Sequence, residues 1–392
     1  MFIERKIYPE LISHLKKKQI TVITGMRRTG KTTLLQKLLN ISPLKNKIYI
    51  DLERMDNRQV FSEPNYENVI LALNQRGIDF KEKSLICIDE IQLVPNISSV
   101  IKYLYDNYDI KFMVTGSSSY YLKDMFTESL SGRKKVFELY PLDFGEFLLF
   151  NDIEFSPLKK FENNFLLSEY QRLNFLFDSF ISYGGFPEVA LSKSVDDKKD
   201  LLKDIIDSYI NIDIRTLADF KYSNDLFKFI SLLSSRIGSK IEYTKIASAS
   251  GFSRHTVKNY LEFFEKTYLI TMLSVLTLNK DREIVKAKKL YFNDNGIANQ
   301  LAELDSGVQF ENAVFNQLKH FGDLQYYSLK SGREIDFILN KNFAFEVKTT
   351  PSEIDFNKTK RLTNKTGIKN VFLIGRSAAS NFSNYIYGGS IV

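Results

Sequence analysis

The chain has little of what would staple a protein together. Of its 392 residues, one is cysteine and three are histidine, at positions 14, 255 and 320. A single thiol excludes a disulfide framework, and three scattered imidazoles exclude a structural zinc site. Cys87 lies in an apolar run and reads as a small core residue. No window of about 18 residues is apolar and uncharged throughout, so no membrane-spanning segment is expected. The opening "MFIERKIYPE" mixes charges from residue 4 and does not read as a signal peptide. There is no internal repeat and no low-complexity linker. Together these absences point to a cytoplasmic, reducing-compartment protein with no membrane partner.

What is present suits several globular domains, at about 100–200 residues each. Apolar residues make up 44% and charged residues 26%, enough for sizeable cores. The net charge is +7, and its location matters more than its size. Residues 1–140 alternate strand-like and helix-like runs. "ITVIT" (20–24) is followed by "GKTTLLQKLL" (30–39), with Leu34, Leu35, Leu38 and Leu39 on one face. "KIYIDL", "SLICIDE", "IKFMVTG" and "KVFELY" are further strand candidates, and such alternation predicts a parallel α/β sheet. Residues 141–235 have a helical period, broken by "YGGFPE" at 183–188, and read as a helical lid. Residues 236–300 read as a winged helix-turn-helix and residues 301–392 as a second α/β domain.

"GMRRTGKT" (Gly25–Thr32) fits the phosphate-loop pattern, after a strand and before a helix. Its glycines let backbone N–H groups turn inward around a phosphate, and the helix N-terminus adds partial positive charge. Lys31 would reach the β/γ-phosphates of ATP and the Thr32 hydroxyl would hold Mg²⁺, with Gly25, Arg28, Gly30 and Thr33 completing the loop. "LICIDE" (85–90) is an apolar strand ending in two acids. Asp89 is placed for the magnesium's water shell and Glu90 to polarise the attacking water. Asp89 follows Lys31 by 58 residues, with one strand candidate between, which marks the branch of P-loop ATPases with an inserted strand and a catalytic glutamate. Ser117 or Thr115, in "FMVTGSSS", would sense the γ-phosphate or orient water. Arg133, in "SGRKK", is an arginine finger in trans within a homo-oligomer, a sensor in cis, or a solvated surface residue.

"YTKIASASGFSRHTVKNYLEFFEKTYLI" (243–270) reads as two short helices around Gly251. Ile246, Ala247 and Ala249 are expected to face inward, as are Val257, Tyr260, Leu261 and Phe264. Ser253 would cap the second helix, and Arg254, His255, Thr256, Lys258 and Asn259 would meet base edges. Residues 236–289 hold eleven Lys/Arg against five Asp/Glu, a net +6 that nearly equals the whole chain's excess. Clustered positive charge is the footprint of phosphate-backbone binding, so DNA is the expected partner.

"EIDFIL" and "FAFEVK" read as a hairpin turning at residues 340–342. Pairing about residue 341 sets Asp336 opposite Glu346, with Glu334 and Lys348 on the same face. Facing carboxylates repel unless a cation lies between them. A shared Mg²⁺ held by Asp336, Glu346 and Glu311 of the upstream helix "FENAVFNQL" would answer that, with Lys348 orienting or activating water. A solvated sheet face with a Glu334–Lys348 pair is the plain alternative. The D…E-x-K arrangement is that of restriction-endonuclease-like nucleases.

The chain resembles a widespread prokaryotic family of AAA+-type ATPases with a C-terminal region of unknown function. The resemblance covers essentially the whole length and rests on "TGMRRTGKTTLL", "LICIDEIQ", "VTGSSS", "SGR", "YPLDFGEF", "GGFPE", "KLYFNDNGIA", "FENAVFNQL" and "GREIDFIL…FEVK". It implies ATP binding, a winged-helix segment and a nuclease-like tail. The expected function is an ATP-driven switch on DNA, with or without cleavage. The alternatives are a nucleotide-controlled scaffold and a DNA-binding regulator, each with a catalytically silent tail.

Overall fold

The structure, a computed structural model, describes residues 2–117, 130, 132–156, 161, 165–214, 223–277, 287–329, 331–378 and 384–392. It divides into two compact units. The first is Met1–Tyr140 with Lys266–Tyr268, and the second is Pro141–Glu265 with Leu269–Val392.

The first unit is built on β1 (Ile20–Thr24), β2 (Lys47–Asp51), β3 (Ser84–Asp89), β4 (Ile110–Gly116) and β5 (Lys134–Glu138). They form one parallel sheet in the order β2-β3-β4-β1-β5. β1, β3 and β4 are buried along their whole length, as parallel strands covered on both faces must be. One face is covered by α1 (Tyr8–Leu15) and α2 (Lys31–Ile41), where Leu34, Leu35 and Leu38 meet Ile23, Cys87 and Met113. Leu39 is only half-buried. The other face packs α4 (Tyr66–Gln75) and α5 (Ile97–Asn107), following the short α3 (Met55–Phe61), through Val69, Leu73, Val100 and Leu104. Each such side chain taken from water contributes about 1.5–3 kcal/mol. Because the strands are parallel, the C-terminal ends of β1, β3 and β4 share one edge. Arg133, which precedes β5, lies at the opposite edge, its carbonyl accepting from the Ile20 N–H at 2.8 Å.

The segments expected as lid, winged helix-turn-helix and C-terminal domain fold here as one compact unit. Its helices run α6 (Phe144–Phe150), α7 (Leu167–Tyr183), α8 (Pro187–Leu191), α9 (Val195–Ser208), α10 (Ser223–Ser234), α11 (Tyr243–Ser250), α12 (Arg254–Lys266), α13 (Asn295–Leu301), α14 (Ser306–Leu318) and α15 (Glu353–Thr363). A two-stranded antiparallel hairpin, β6 (Ile270–Leu273) with β7 (Lys289–Phe292), follows α12. A five-stranded sheet orders β12 (Tyr385–Tyr387), β11 (Asn370–Gly375), β10 (Phe343–Lys348), β9 (Glu334–Leu339) and β8 (Leu324–Ser328).

A buried carboxylate explains why "GGFPE" and "FNDNGIA" belong to one unit. Asp294 caps α13 by accepting the Ile297 N–H at 2.9 Å and also accepts the Gly185 N–H at 2.7 Å. Burial raises its carboxyl to about 6, against the opposing pull of those N–H groups. Asn295 next to it donates to the carbonyls of Ile181 (3.1 Å) and Gln309 (2.9 Å), tying α7 to α14. A helical period could not foresee these long-range polar ties.

Candidate functional site

Two clusters hold the expected chemistry, one in each unit. The first is the sheet edge where β1 and β3 end. Gly25 packs so tightly that a β-carbon there would collide with the Leu139 carbonyl. Arg28 takes a left-handed φ of +64°, which turns the loop inward. Gly30 precedes α2 without a side-chain cap and the first turn carries no acid, so its N–H groups face the loop uncompensated. Lys31 is buried and donates to the Met26 carbonyl at 3.0 Å. Thr33, one turn position further, is exposed. Arg5, which no motif marked, braces the loop through the Thr29 (2.9 Å) and Tyr140 (2.8 Å) carbonyls.

Asp89 accepts from the Thr32 hydroxyl at 2.7 Å and the Tyr49 hydroxyl at 2.8 Å, and also from Thr115. Burial, with Asp89's charge behind it, pushes the Tyr49 hydroxyl well above its ordinary value. Glu90 adopts φ +56°, a left-handed conformation unusual for its type, and its N–H donates to Thr115 Oγ1 at 3.1 Å. The Gln92 amide donates to the Glu90 carboxylate and, at 3.0 Å, to Ser117 Oγ. Asp89, Glu90, Thr115 and Ser117 are therefore one buried network, and Gln92 is the member that sequence reasoning missed. It ends the run "LICIDEIQ", two residues after the acidic pair, but no role was assigned to it there. Arg133 is not in this network. At the far edge of the sheet it makes two hydrogen bonds to Asp106 (2.9 and 3.3 Å), so parallel topology removes the cis-sensor reading.

The second cluster lies on the C-terminal sheet. The observed register pairs Phe343 with Leu339, Ala344 with Ile338 and Phe345 with Phe337, as expected, and the recorded pairing ends there, one position before Glu346 and Asp336. The three-residue turn, with Asn340 and Lys341 at φ +50° and +56°, sets that register. Both sheet faces carry apolar cover. Phe337 meets Phe315 of α14 and Tyr291, while Ile338 and Ala344 pack with Leu362 of α15. Glu334, Asp336 and Glu346 are thus half-buried at the margin of that cover, neither enclosed nor on a fully solvated face.

Asp336 accepts the Val347 N–H at 2.9 Å. Glu346 pairs with Lys348 at 2.8 Å through one oxygen, while its other oxygen is buried without a hydrogen-bond partner among the described residues. Glu311 accepts from the Tyr291 hydroxyl at 2.7 Å. Burial, then the charge of Asp336, holds both Glu311 and Glu346 above the usual carboxylate range. The expected three-acid magnesium set is not assembled. Among the described residues no three acid, histidine or cysteine groups converge as metal ligands. Instead the Lys289 ammonium, from β7, lies 3.1 Å from Glu334 and 3.8 Å from Asp336, and Lys240 bonds Glu334 from the other side. Burial would lower Lys289, but Asp336, Glu311 and Glu334 outweigh it and hold it above its ordinary value. The expected Glu334–Lys348 pair is replaced by Lys240 and Lys289. Neither lysine was singled out by the sequence, because each comes from the segment whose charge was read as a DNA footprint. A cleft of about 660 Å³ opens beside these acids, lined by Arg333, Glu334, Glu346, Lys358, Arg361 and Lys365.

In the helix–turn–helix, Gly251 takes φ +76° and its N–H closes α11 onto the Ala247 carbonyl at 3.0 Å. Ser253 caps α12 by accepting the Thr256 N–H at 3.1 Å. Ile246, Val257, Leu261 and Phe264 are buried, Tyr260 is half-buried, and Ala249 is exposed, contrary to expectation. Arg254, His255, Lys258 and Asn259 are exposed. Lys280, Arg282 and Lys286 lie outside the described residues.

Comparison with known proteins fits this geometry. Residues 17–148 match the AAA domain. The first unit thus has a P-loop ATPase fold by loop, strand order and family match alike. Residues 174–307 match a domain of unknown function (DUF8612). An uncharacterized protein of Methanocaldococcus jannaschii is 28% identical, over 91% of this chain and 81% of its own length. One of Haemophilus influenzae is 27% identical, over 86% and 85%. Among solved structures, the Aeropyrum pernix ORC1 protein in complex with DNA aligns with 77% of this chain and 92% of its own, at 13% identity and a TM-score of 0.32. The Thermotoga maritima RuvB Holliday junction branch migration motor aligns with 69% and 90%, at 16% and 0.34. Scores at this level say nothing about function. Among the described residues no helix is long and apolar enough to cross a membrane.

Proposed function

We propose that the chain is a Mg²⁺-dependent ATPase that uses its nucleotide state as a switch on DNA. The observation that carries this reading is the single polar network joining Thr32, Asp89, Thr115, Glu90, Gln92 and Ser117 at the mouth of the phosphate loop. These residues fit a magnesium nucleotide. The Thr32 hydroxyl and the Asp89 carboxylate adjoin each other, the donor type is hard oxygen, and the first turn of α2 offers N–H groups and no competing acid. Thr32 and Asp89 would hold the ion, which neutralises phosphate charge when bound. Lys31 and the loop N–H groups bind the β/γ-phosphates. Glu90 orients the attacking water, and Gln92 and Ser117 fix where its carboxylate points. The exposed Arg254, His255, Lys258 and Asn259 at the start of α12 contact DNA. Arg133 acts in trans within a homo-oligomer. Phosphate release by wild type, Lys31→Ala and Glu90→Gln, with and without duplex DNA, tests this reading. Equal release by all three proteins overturns it.

The second reading is a DNA-binding regulator or scaffold whose nuclease-like tail is silent. Lys240 and Lys289 support it, since the acids they neutralise are those a nuclease would need for metal. Metal-dependent loss of labelled DNA separates the two readings of the tail.

A further inference from the structure

The acids of the C-terminal sheet do not stand free for a metal, and what stands among them is specific. Lys289 is 4% exposed, and its Nζ contacts both Glu334 and Asp336. Its ammonium also lies 5.4 Å above the Tyr326 ring. Its backbone is fixed twice, opposite Leu273 in the β6–β7 hairpin and in a bridge to Lys240. Lys240 in turn bonds Glu334 and, at 2.9 Å, Ser328 Oγ. A buried lysine head is costly unless its charge is matched, and here the matching partners are these carboxylates. Glu346 pairs with Lys348 through one oxygen, and its other oxygen is buried without a hydrogen-bond partner among the described residues.

We propose that Lys289 decides which cation this cluster holds: its ammonium is the resident cation, and a divalent metal and Lys289 exclude one another there. This inference rests on reading Asp336, Glu346 and Glu311 as metal-capable acids. Asp336 then has two alternative partners. With Lys289 in place it is held in an ion pair, and with Lys289 withdrawn it is free to join Glu346 around a metal. Lys289 is thus a specificity-determining residue supplied by the hairpin that follows the helix–turn–helix.

The test is Mn²⁺ binding by the nucleotide-free full chain, followed by electron paramagnetic resonance and calorimetry. Lys289→Met should bind one Mn²⁺ at least about tenfold more tightly than wild type, and adding Asp336→Asn should remove the gain. Equal, tight binding by wild type and Lys289→Met overturns the role of Lys289 and leaves the acids as a metal site. No binding by either, up to millimolar Mn²⁺, overturns both. A second arm uses wild type alone and is independent of how the variant folds. Acetylation of Lys289, read by peptide mass spectrometry against exposed Lys341 of the hairpin turn, should be slow without metal and several-fold faster at saturating Mn²⁺. An unchanged rate overturns the proposal.

Discussion

The phosphate-loop edge of the first unit and the acid cluster of the second are both read from short motifs, yet they are built differently. The loop's residues act through backbone and near neighbours. Gly25 to Thr33 are consecutive, and Asp89 and Glu90 arrive on the strand that topology puts nearby. The acid cluster depends on side chains from five separate segments: Lys240, Lys289 of β7, Glu311 of α14, and the acids of β9 and β10. Its two decisive members, Lys240 and Lys289, come from the part of the chain whose charge was assigned elsewhere. A motif made of backbone carries its environment with it, whereas a motif made of side chains can be completed by residues the motif does not mention.

Removing the first site's charge should have the largest effect. Lys31→Ala should abolish ATP binding, because the loop loses its buried ammonium next to the phosphates. Fluorescent-nucleotide titration checks this, and retained affinity would mean that backbone groups alone suffice. Next comes Glu90→Gln, expected to keep binding and slow hydrolysis roughly 10²-fold or more. Gln92→Leu should fall between wild type and Glu90→Gln, since it frees Glu90 without removing it. An effect of Gln92→Leu on ATP affinity but not on turnover would assign it to the loop instead.

Much of the first unit was legible because its physics is local. The five strands and α2 fell where apolar runs and β-branched residues placed them, and parallel topology then fixed which ends converge. The same topology moved Arg133 away from the site, which a motif match could not foresee. In the second unit the hairpin register was legible, since a three-residue turn leaves one pairing. The partial apolar cover beside the acids was not, because Ile338 and Ala344, expected on the polar face by alternation, pack with Leu362. The net +6 of residues 236–289 was a correct count with an incomplete address. Lys240 and Lys289 face acids, and Lys245 and Lys258 pair with Glu242 (2.8 Å) and Glu262 (3.7 Å) on their own helices or caps.

That accounting sharpens the DNA prediction. Changing Arg254 and Lys258 to Ala together should weaken duplex binding and flatten the salt dependence by up to about two phosphate contacts. Lys240→Ala and Lys289→Met should leave the slope unaltered, because their charges are taken up by Glu334 and Asp336. Fluorescence anisotropy across a salt series reads both. A slope lost on changing Lys240 would return that lysine to the DNA surface.

The smallest effect is a difference of sign between the units. In the first, His14 is 2% exposed, and burial first, then Lys111's charge, lowers it to about 4. Between about 4 and its ordinary value near 6.5, the unfolded chain binds a proton there that the folded chain refuses. The first unit should therefore lose stability as pH falls through that window. In the second, Asp294 is raised to about 6, so between its ordinary value near 3.8 and about 6 the folded chain holds a proton that the unfolded chain has released. The second unit should lose stability as pH rises through that window. Glu311 and Glu346, also raised, add to this slope, while Glu334, lowered by Lys240 and Lys289, opposes it. Each principal group contributes on the order of 3 kcal/mol across its window. Hydrogen exchange, corrected for intrinsic rates and read peptide by peptide between pH 4 and 6, should show opposite trends in the two units. His14→Gln should flatten the first trend and leave the second. Parallel trends would mean that the buried carboxyls of the second unit are ionised in the fold, held so by the N–H groups at Asp294 and the lysines at the acid cluster.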